Sequence, residues 1–255
     1  MLQAERYSRI VSLLKEHQYL SVQRLTKLLY VSEATVRRDL KKLADAGQVR
    51  RTFGGATLNE GMHADIPFSI RDVKNSREKE TIAALASQLI HNDDVIIIDS
   101  SSTVFKLIPY LENKSNTVIT NSPKVALALI ENPHLDVYST GGKLRENSIS
   151  YVGRAAENMI RDCNYNTMFF SSVGIDLKNV TDTNEDEARL KVAMMRHSQC
   201  VVAMHDISKF GKINFSRISG LDALDYLVTD ACPGKEWEKA ADDNGFTLVY
   251  PGKPV

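Results

Sequence analysis

From residue 95 onward, short apolar runs alternate with helical patterns, and that alternation leaves few folds open. Val95-Ile96-Ile97-Ile98 is β-branched and apolar at every position. Such a run suits a parallel strand covered on both faces rather than a half-exposed one. A helical pattern follows over about 103–111, and then the alternation repeats. Strands are predicted at 117–120, 135–138, 168–170, 200–204, 226–229 and 246–249. Helices are predicted at 123–130, 152–160 and 185–197, with a last one carrying Trp237. Strands alternating with helices imply an α/β body with a parallel-rich sheet and short crossovers. No internal repeat or low-complexity tract interrupts the pattern.

In open sheets of this kind, ligands bind beyond the carboxyl ends of the strands. Asp99-Ser100-Ser101-Ser102-Thr103 follows the first strand, directly at a helix start. Free N–H groups, the helix dipole and four hydroxyls would form a cradle for an oxyanion; the plainer reading is a capped helix. Thr120-Asn121-Ser122 is again polar at a helix start. Gly141-Gly142 would let a ligand approach the backbone closely. Ser171-Ser172-Val173-Gly174 follows another strand. Glu187 and Lys191 lie four apart on one helix face; their plainer reading is a surface pair worth about 0.3–0.5 kcal/mol. His205-Asp206-Ile207-Ser208-Lys209-Phe210-Gly211 brings the Lys209 cation to the same sheet edge. Hydroxyls, amides, the Asp99 carboxylate and one or two lysines suit a phosphorylated polyol or sugar.

Net charge is zero, with 32 basic and 32 acidic side chains, which argues against a chain that is basic along its whole length. The balance is uneven, however. Residues 1–58 hold 11 basic and 5 acidic side chains, or +6, so residues 59–255 hold 21 and 27, or −6. Such asymmetry hints at nucleic acid. No apolar run reaches the ~18 residues a membrane-spanning helix needs, and Met1-Leu2-Gln3-Ala4-Glu5-Arg6 has no secretory core. Cys163, Cys200 and Cys232 form no CxxC pair. Neither a metal site nor a disulfide framework is expected, nor any cofactor; the thiols read as buried, in a reducing cytoplasm.

The basic head reads as a winged helix-turn-helix. Ile10, Val11, Leu13 and Leu14 predict a first helix over about 3–17. Ser21 caps a second helix carrying Val22, Leu25, Leu28 and Leu29. Ser32 caps a third, with Val36, Leu40 and Leu43 facing inward and Gly47 ending it. Two extended runs around Gly54-Gly55 form a hairpin, the wing. The leading turn of the third helix presents Ser32, Glu33, Thr35, Arg37 and Arg38. A helix fits the major groove of B-DNA, where Arg meets guanine bidentately and hydroxyls meet bases or phosphates. Lys41 and Lys42, a turn later, suit phosphates, and Arg50 and Arg51 on the wing suit phosphate or the minor groove. A merely solvated helix face is the plainer alternative; the agreement of three helices, a hairpin and the charge weighs against it.

Polar residues 59–67, with Gly61 and Pro67, read as a connector in which Phe68, Ile70 and Val73 pack locally. The charged run 74–80 reads as a solvated face leading into a helix. The expected division is 1–58 for the head, 59–76 for a linker and 77–255 for the body.

Arg6, Ile10, Leu14, the run Ser32-Glu33-Ala34-Thr35-Val36-Arg37-Arg38-Asp39-Leu40 and the wing Arg50-Arg51-Thr52-Phe53-Gly54-Gly55-Ala56 resemble the N-terminal signature of DeoR-type bacterial transcription regulators. The resemblance continues through Asp99–Thr103, Thr120-Asn121-Ser122, Gly141-Gly142, Glu187-Ala188 with Lys191, and Ser208-Lys209-Phe210-Gly211. It implies an effector-binding body similar to sugar-phosphate isomerases and deaminases, with Asp39 stabilising its helix rather than reading bases. Ser101 stands where that family carries a loop glycine, so either its backbone is strained or the loop differs. Ser171-Ser172 likewise replaces smaller residues.

Together these readings predict a cytoplasmic DNA-binding regulator, a repressor of a carbohydrate-use operon, with two partners: double-stranded operator DNA and a phosphorylated sugar or related intermediate. No membrane partner is expected, and a homodimer or homotetramer is. The competing class is a sugar-phosphate isomerase or deaminase with an appended DNA module, in which Asp99 or Glu187 acts as base and Lys209 holds the phosphate. A bare DNA-architectural protein is a third reading, disfavoured by the ligand-shaped sheet edge.

Overall fold

The computed structural model describes residues 2–17, 19–45, 47–58 and 65–254. The chain divides into two compact units, Met1–Lys74 and Asn75–Val255.

The head contains α1 (Gln3–His17), β1 (Tyr19–Ser21), α2 (Val22–Leu29), α3 (Glu33–Asp45), β2 (Val49–Thr52), β3 (Gly55–Leu58) and α4 (Phe68–Val73). Each helix contributes one apolar stripe to a common core. Ile10 and Leu14 come from α1, Leu25 and Leu29 from α2, and Val36, Leu40 and Leu43 from α3. Leu28, expected in the second stripe, lies at the surface instead. The Ser21 hydroxyl accepts the Arg24 N–H at 3.1 Å and caps α2. Tyr30, left-handed at φ 55°, ends that helix. Ser32 accepts the Thr35 N–H at 3.3 Å. Gly47, at φ 68°, lets the chain leave α3 while the Gln48 N–H returns to the Leu43 carbonyl.

The wing is β2 paired antiparallel with β3. A third strand was not expected: β1 pairs antiparallel with the other side of β3. The connector differs from its sequence reading too. Residues 59–64 of it lie outside the described residues, but its later part forms α4, whose Ile70 enters the core of the head. The head therefore runs to Lys74.

The body is built on a seven-stranded parallel sheet. Its strands are β4 (Val95–Ile98), β5 (Asn116–Thr120), β6 (Leu135–Ser139), β9 (Tyr165–Phe170), β12 (Ser198–Met204), β14 (Tyr226–Val228) and β15 (Thr247–Val249), in the order β15-β14-β12-β9-β4-β5-β6. Successive residues of each strand face opposite cores, as the period of two requires. Ile97, Met168, Phe170, Val201 and Ala203 face one layer. It holds α7 (Arg154–Arg161), α8 (Glu185–Arg196) and α9 (Lys235–Asn244). Ile96, Ile98, Phe169, Val202 and Met204 face the other. There lie α5 (Ser76–Ala86), α6 (Pro123–Leu129) and a 3₁₀ run over Val104–Leu111. Both faces are covered, which is why the strands carry no polar alternation.

Several local expectations change. The helix expected at 103–111 is 3₁₀ and holds Pro109, whose ring excludes regular α hydrogen bonding. The helix expected at 152–160 starts only at Arg154, because Ser150–Val152 is strand β8 and Gly153 turns at φ 88°. β8 pairs with β7 (Lys143–Arg145) as a separate hairpin. A small antiparallel sheet of β10 (Gly174–Ile175), β11 (Asn179–Asp182) and β13 (Ser216–Gly220) was also not expected. Such strands are too short for a legible period. Of the thiols expected to be buried, Cys163 and Cys200 are half-buried and Cys232 is exposed. No helix among the described residues is long and apolar enough to cross a membrane.

The sheet order places the site. From β4 the chain builds outward through β5 to β6, then returns to β9 on the other flank of β4 and builds the opposite way. The order reverses between β4 and β9, where a doubly wound sheet opens a crevice at its carboxyl edge.

Candidate functional site

Asp99 is the first residue after β4, and it occupies that crevice. Its Oδ1 accepts the Ser101 N–H at 2.9 Å, and its Oδ2 accepts the Ser171 N–H at 3.2 Å from the loop after β9. One carboxylate thus ties the two strand ends together. Burial raises its pKa, against the pull of Lys191 and those hydrogen bonds.

Ser100, Ser101, Ser102 and Thr103 are all buried. Ser101 is not among the residues at positive φ. Its hydroxyl accepts the Val104 N–H at 3.2 Å. The loop therefore carries serine without left-handed strain, and one of its hydroxyls caps the 3₁₀ run. Ser102 Oγ accepts from Lys79 Nζ at 3.0 Å. Lys79 corrects the reading of residues 74–80 as a solvated face. Arg77, Glu78 and Glu80 are exposed, but Lys79 is buried. It lies three, four and seven residues before Ile82, Ala83 and Ala86, and so shares their inward stripe.

Thr120, Asn121 and Ser122 are buried at the end of β5. Thr120 Oγ1 accepts the Ser122 N–H at 3.0 Å, and Ser122 caps α6. The Asn121 amide donates to the Tyr151 carbonyl at 3.2 Å, holding β8, while its buried Oδ1 has no partner among the described residues. Gly141 and Gly142 both have positive φ, +61° and +113°. A Cβ on Gly142 would sit 2.8 Å from the Val152 carbonyl, so here glycine serves backbone packing between the hairpin and α7. Gly174 is similar: its Cβ would meet the Lys212 carbonyl at 2.5 Å.

Glu187 and Lys191 are not the surface pair of the plainer reading, since both are buried. Lys191 Nζ lies 2.7 Å from Asp182 Oδ2 and 3.7 Å from Asp99 Oδ2. Burial pushes its pKa down, but Asp182, Asp99 and Glu187 outweigh this and raise it. Glu187 Oε1 accepts from Arg145 Nη1 at 3.0 Å and from the Ser150 hydroxyl. Burial favours its protonation; Lys191, Ser148, Ser150 and Arg145 nonetheless hold its pKa below the ordinary value. Both groups are matched inside a closed network of charges.

Lys209 sits half-buried in the turn after β12. Beside it, Asp206 Oδ1 accepts from the Ser208 N–H at 3.1 Å and from the Asn75 amide at 2.9 Å. Burial raises the Asp206 pKa, but Lys209, Ser208, Asn75 and Lys79 lower it more. The structure thus brings Asp99, the 100–103 loop, Lys191 and the 205–209 turn to one crevice. Gly142 and Gly174 serve backbone packing, whereas a Cβ on Gly141 would meet nothing within 4 Å and its glycine answers only to the positive φ.

The sequence reading does not single out Lys79, Arg145 or Asp182, and from the segment 205–211 it takes only Lys209 for the site, not His205 or Asp206. His205 and Asp206 follow a strand directly, so the strand-end rule reaches them, and Lys79 is marked by its helical phase. Nothing local marks Arg145 or Asp182, which lie on short irregular strands. Among the described residues no group of three or more His, Cys, Asp or Glu side chains could hold a metal.

In the head, Ser32, Glu33, Arg37, Arg38, Lys41 and Lys42 of α3 and its cap are exposed, with Thr35 half-buried. Arg37 lies 3.2 Å from Glu33 in an exposed pair one turn apart. Arg50 and Arg51 are exposed on β2, and Phe53 at the wing tip is fully exposed. A cleft of about 370 Å³ lies between α3 and the wing, lined by Arg37, Leu40, Arg51 and Phe53 among others. Asp39, by contrast, faces inward. Arg6 Nη2 donates to its Oδ1 at 3.1 Å and Nε to its Oδ2, pinning α1 to α3.

A winged helix-turn-helix with an exposed basic third helix, followed by a doubly wound α/β body with buried polar groups at its switch point, defines a DNA-binding protein with a second, separate domain. The chain belongs to the DeoR family of transcriptional regulators. The DeoR-like helix-turn-helix domain matches residues 6–61 and the DeoR C terminal sensor domain matches residues 74–231. The chain is 36% identical over 95% of its length to the uncharacterized HTH-type transcriptional regulator YulB of Bacillus subtilis (strain 168), covering 95% of that protein. It is 32% identical over 98% of its length to the HTH-type transcriptional repressor GlcR of the same organism, covering 96% of it. It is also 32% identical to the transcriptional repressor AccR of Agrobacterium fabrum (strain C58), with 89% of each chain covered. These relatives are named as regulators, not as enzymes, and the chain belongs with them.

Proposed function

We propose that this regulator is a repressor of a carbohydrate-use operon and that a phosphorylated sugar or related intermediate, bound in the body, changes its affinity for operator DNA. The observation that carries the reading is Asp99. A buried carboxylate bridges β4 and β9 at the switch point, beside the Ser100–Thr103 hydroxyls and with Lys79, Lys191 and Lys209 around the same crevice. A carboxylate and hydroxyls read sugar hydroxyls, and lysines neutralise a phosphate. The repressor names of GlcR and AccR support the sign of regulation. Ser32, Glu33, Thr35, Arg37, Arg38, Lys41, Lys42, Arg50 and Arg51 form the DNA surface in this reading. A dimer or tetramer matches paired half-sites, and the site of action is the cytoplasm.

The isomerase or deaminase reading needs a carboxylate ready to take a proton. Glu187 is held by Arg145, Ser150 and Lys191 instead, which suits binding. The test is a thermal-shift panel of sugar phosphates and the matching free sugars on the full chain. A ligand at a hundred times its Kd stabilises by about 2.7 kcal/mol. The expected hit is a phosphate ester that also releases DNA and is recovered unchanged. Turnover that disappears in Asp99→Asn or Glu187→Gln would contradict the proposal.

A further inference from the structure

The compact head ends at Lys74, and Asn75 is the first residue of the sensor. Asn75 is left-handed, at φ 53° and ψ 41°. Among residues with a Cβ, Asn and Asp tolerate that region best. The Asn75 amide nitrogen has two acceptors in the turn after β12. It donates to Asp206 Oδ1 at 2.9 Å and to Ser208 Oγ at 3.1 Å. Both acceptors belong to the turn that carries Lys209. One helical turn later, the buried Lys79 donates to Ser102 Oγ at 3.0 Å, in the loop that carries the cradle hydroxyls. The first five residues of the sensor therefore hold both loops of the crevice.

This placement has a mechanical consequence. A phosphate held by the 100–103 hydroxyls would compete for the same Lys79 donors that Ser102 now receives. A phosphate drawn to Lys209 would shift the 206–209 turn, and both Asn75 hydrogen bonds end on that turn. Each contact acts on α5 within its first turn. The backbone there is poised, because a left-handed Asn that loses its side-chain anchors relaxes readily to the right-handed or extended region, redirecting the chain that precedes it. Coupling between sites needs an element with two arrangements that the ligand distinguishes, and Asn75 supplies one.

We propose that the first turn of α5, Asn75 to Lys79, transmits the signal: Lys79 holds the phosphate of the effector, and Asn75 converts the state of the 206–209 turn into a change of backbone direction where the chain enters the head. This rests on the reading that the crevice takes a phosphorylated ligand.

The experiment uses the full-length chain. The DNA probe is a labelled duplex enriched from a random library by the wild-type protein. The ligand probes are inorganic phosphate and a panel of pentose and hexose phosphates. Ligand affinity is read from titrated thermal shifts, and DNA affinity from anisotropy with and without ligand. Lys79→Met should weaken phosphate binding about tenfold or more, as expected for removing a hydrogen-bonded charge, and Lys79→Arg should restore part of it. Asn75→Gly keeps the left-handed backbone accessible but removes the amide. It should bind the same phosphate within about twofold of wild type, while its DNA affinity is the same with and without ligand. Lys79→Met with wild-type phosphate affinity, or Asn75→Gly whose DNA affinity falls with ligand as the wild type's does, would overturn the proposal. Should Lys79→Met fail to fold, Lys79→Arg and Asn75→Gly still decide it. A wild-type chain that no phosphate stabilises removes the phosphorylated ligand itself, and this proposal with it; that outcome is separate from intact binding with intact release in the variants.

Discussion

His205 shows how one residue records its surroundings. It is fully buried after β12, and its Nε2 accepts the Ser172 N–H at 3.1 Å. An N–H donor requires an unprotonated acceptor, so the ring proton sits on Nδ1. Burial pushes its pKa down to about 3, and the nearby Lys209 charge adds to this. The unfolded chain takes up a proton near pH 6.5, the ordinary value, and the native chain does not. Native stability from this residue is therefore complete above that pH and is lost as pH falls toward 3, at about 1.4 kcal/mol per pH unit. Denaturant titrations of wild type and His205→Gln at pH 7, 5.5 and 4.5 should show the gap between them shrinking with acid. Parallel curves would mean the imidazole is not the proton acceptor. The position of His205 at a strand end is visible in the sequence. Its neutrality is not, because it depends on burial beneath segments distant in the chain, Ser172 among them, 33 residues away.

Elements with a sustained period were legible. The head helices α1 to α3, the wing and all seven strands of the main sheet follow from apolar spacing and turn residues. What remained illegible has a physical reason. β1 is three residues long and exists because β3 offers it a partner. The β7–β8 hairpin is held by Asn121 and Tyr151 across 30 residues rather than by its own pattern. At this scale the recognition helix carries a direct test. Arg38 is exposed on α3, so Arg38→Ala leaves the core of the head intact. Loss of a base contact should cost about 1–3 kcal/mol of DNA affinity and relax sequence preference at one position, whereas Lys42→Ala should weaken binding uniformly and lower the salt slope by about one. Anisotropy at several salt concentrations separates the two. A fall in sensor stability in either variant would contradict the separate roles of the two units.

At the scale of the whole molecule, the zero net charge divides into +6 over residues 1–58 and −6 over the remainder. The head carries the phosphate-seeking charge, with a strongly salt-dependent affinity expected; the sensor is net acidic, and its buried cations Lys79 and Lys191 are paired with Ser102 and with Asp182 and Asp99. The two units also have separate apolar cores, one in the head and one on each face of the sheet. Fragments 1–74 and 75–255 should therefore each unfold cooperatively. The first should bind DNA without responding to sugar phosphates, and the second should be stabilised by them without binding DNA. Calorimetry and anisotropy on both fragments check this, and a fragment that shows no cooperative transition would refute the division at Lys74.

Alone, the sequence determined the two-part organisation, the parallel sheet, the recognition helix and most of the polar residues at the sheet edge. These depend on local periods, caps and strand ends, which neighbouring residues impose. Only the tertiary structure decided that Lys79 faces inward to Ser102, that Glu187 and Lys191 are buried in a network with Arg145 and Asp182, and that α4 belongs to the head. Those outcomes depend on contacts between residues far apart in the chain. A charged side chain in a polar run shows its partner only once the fold has brought the partner to it.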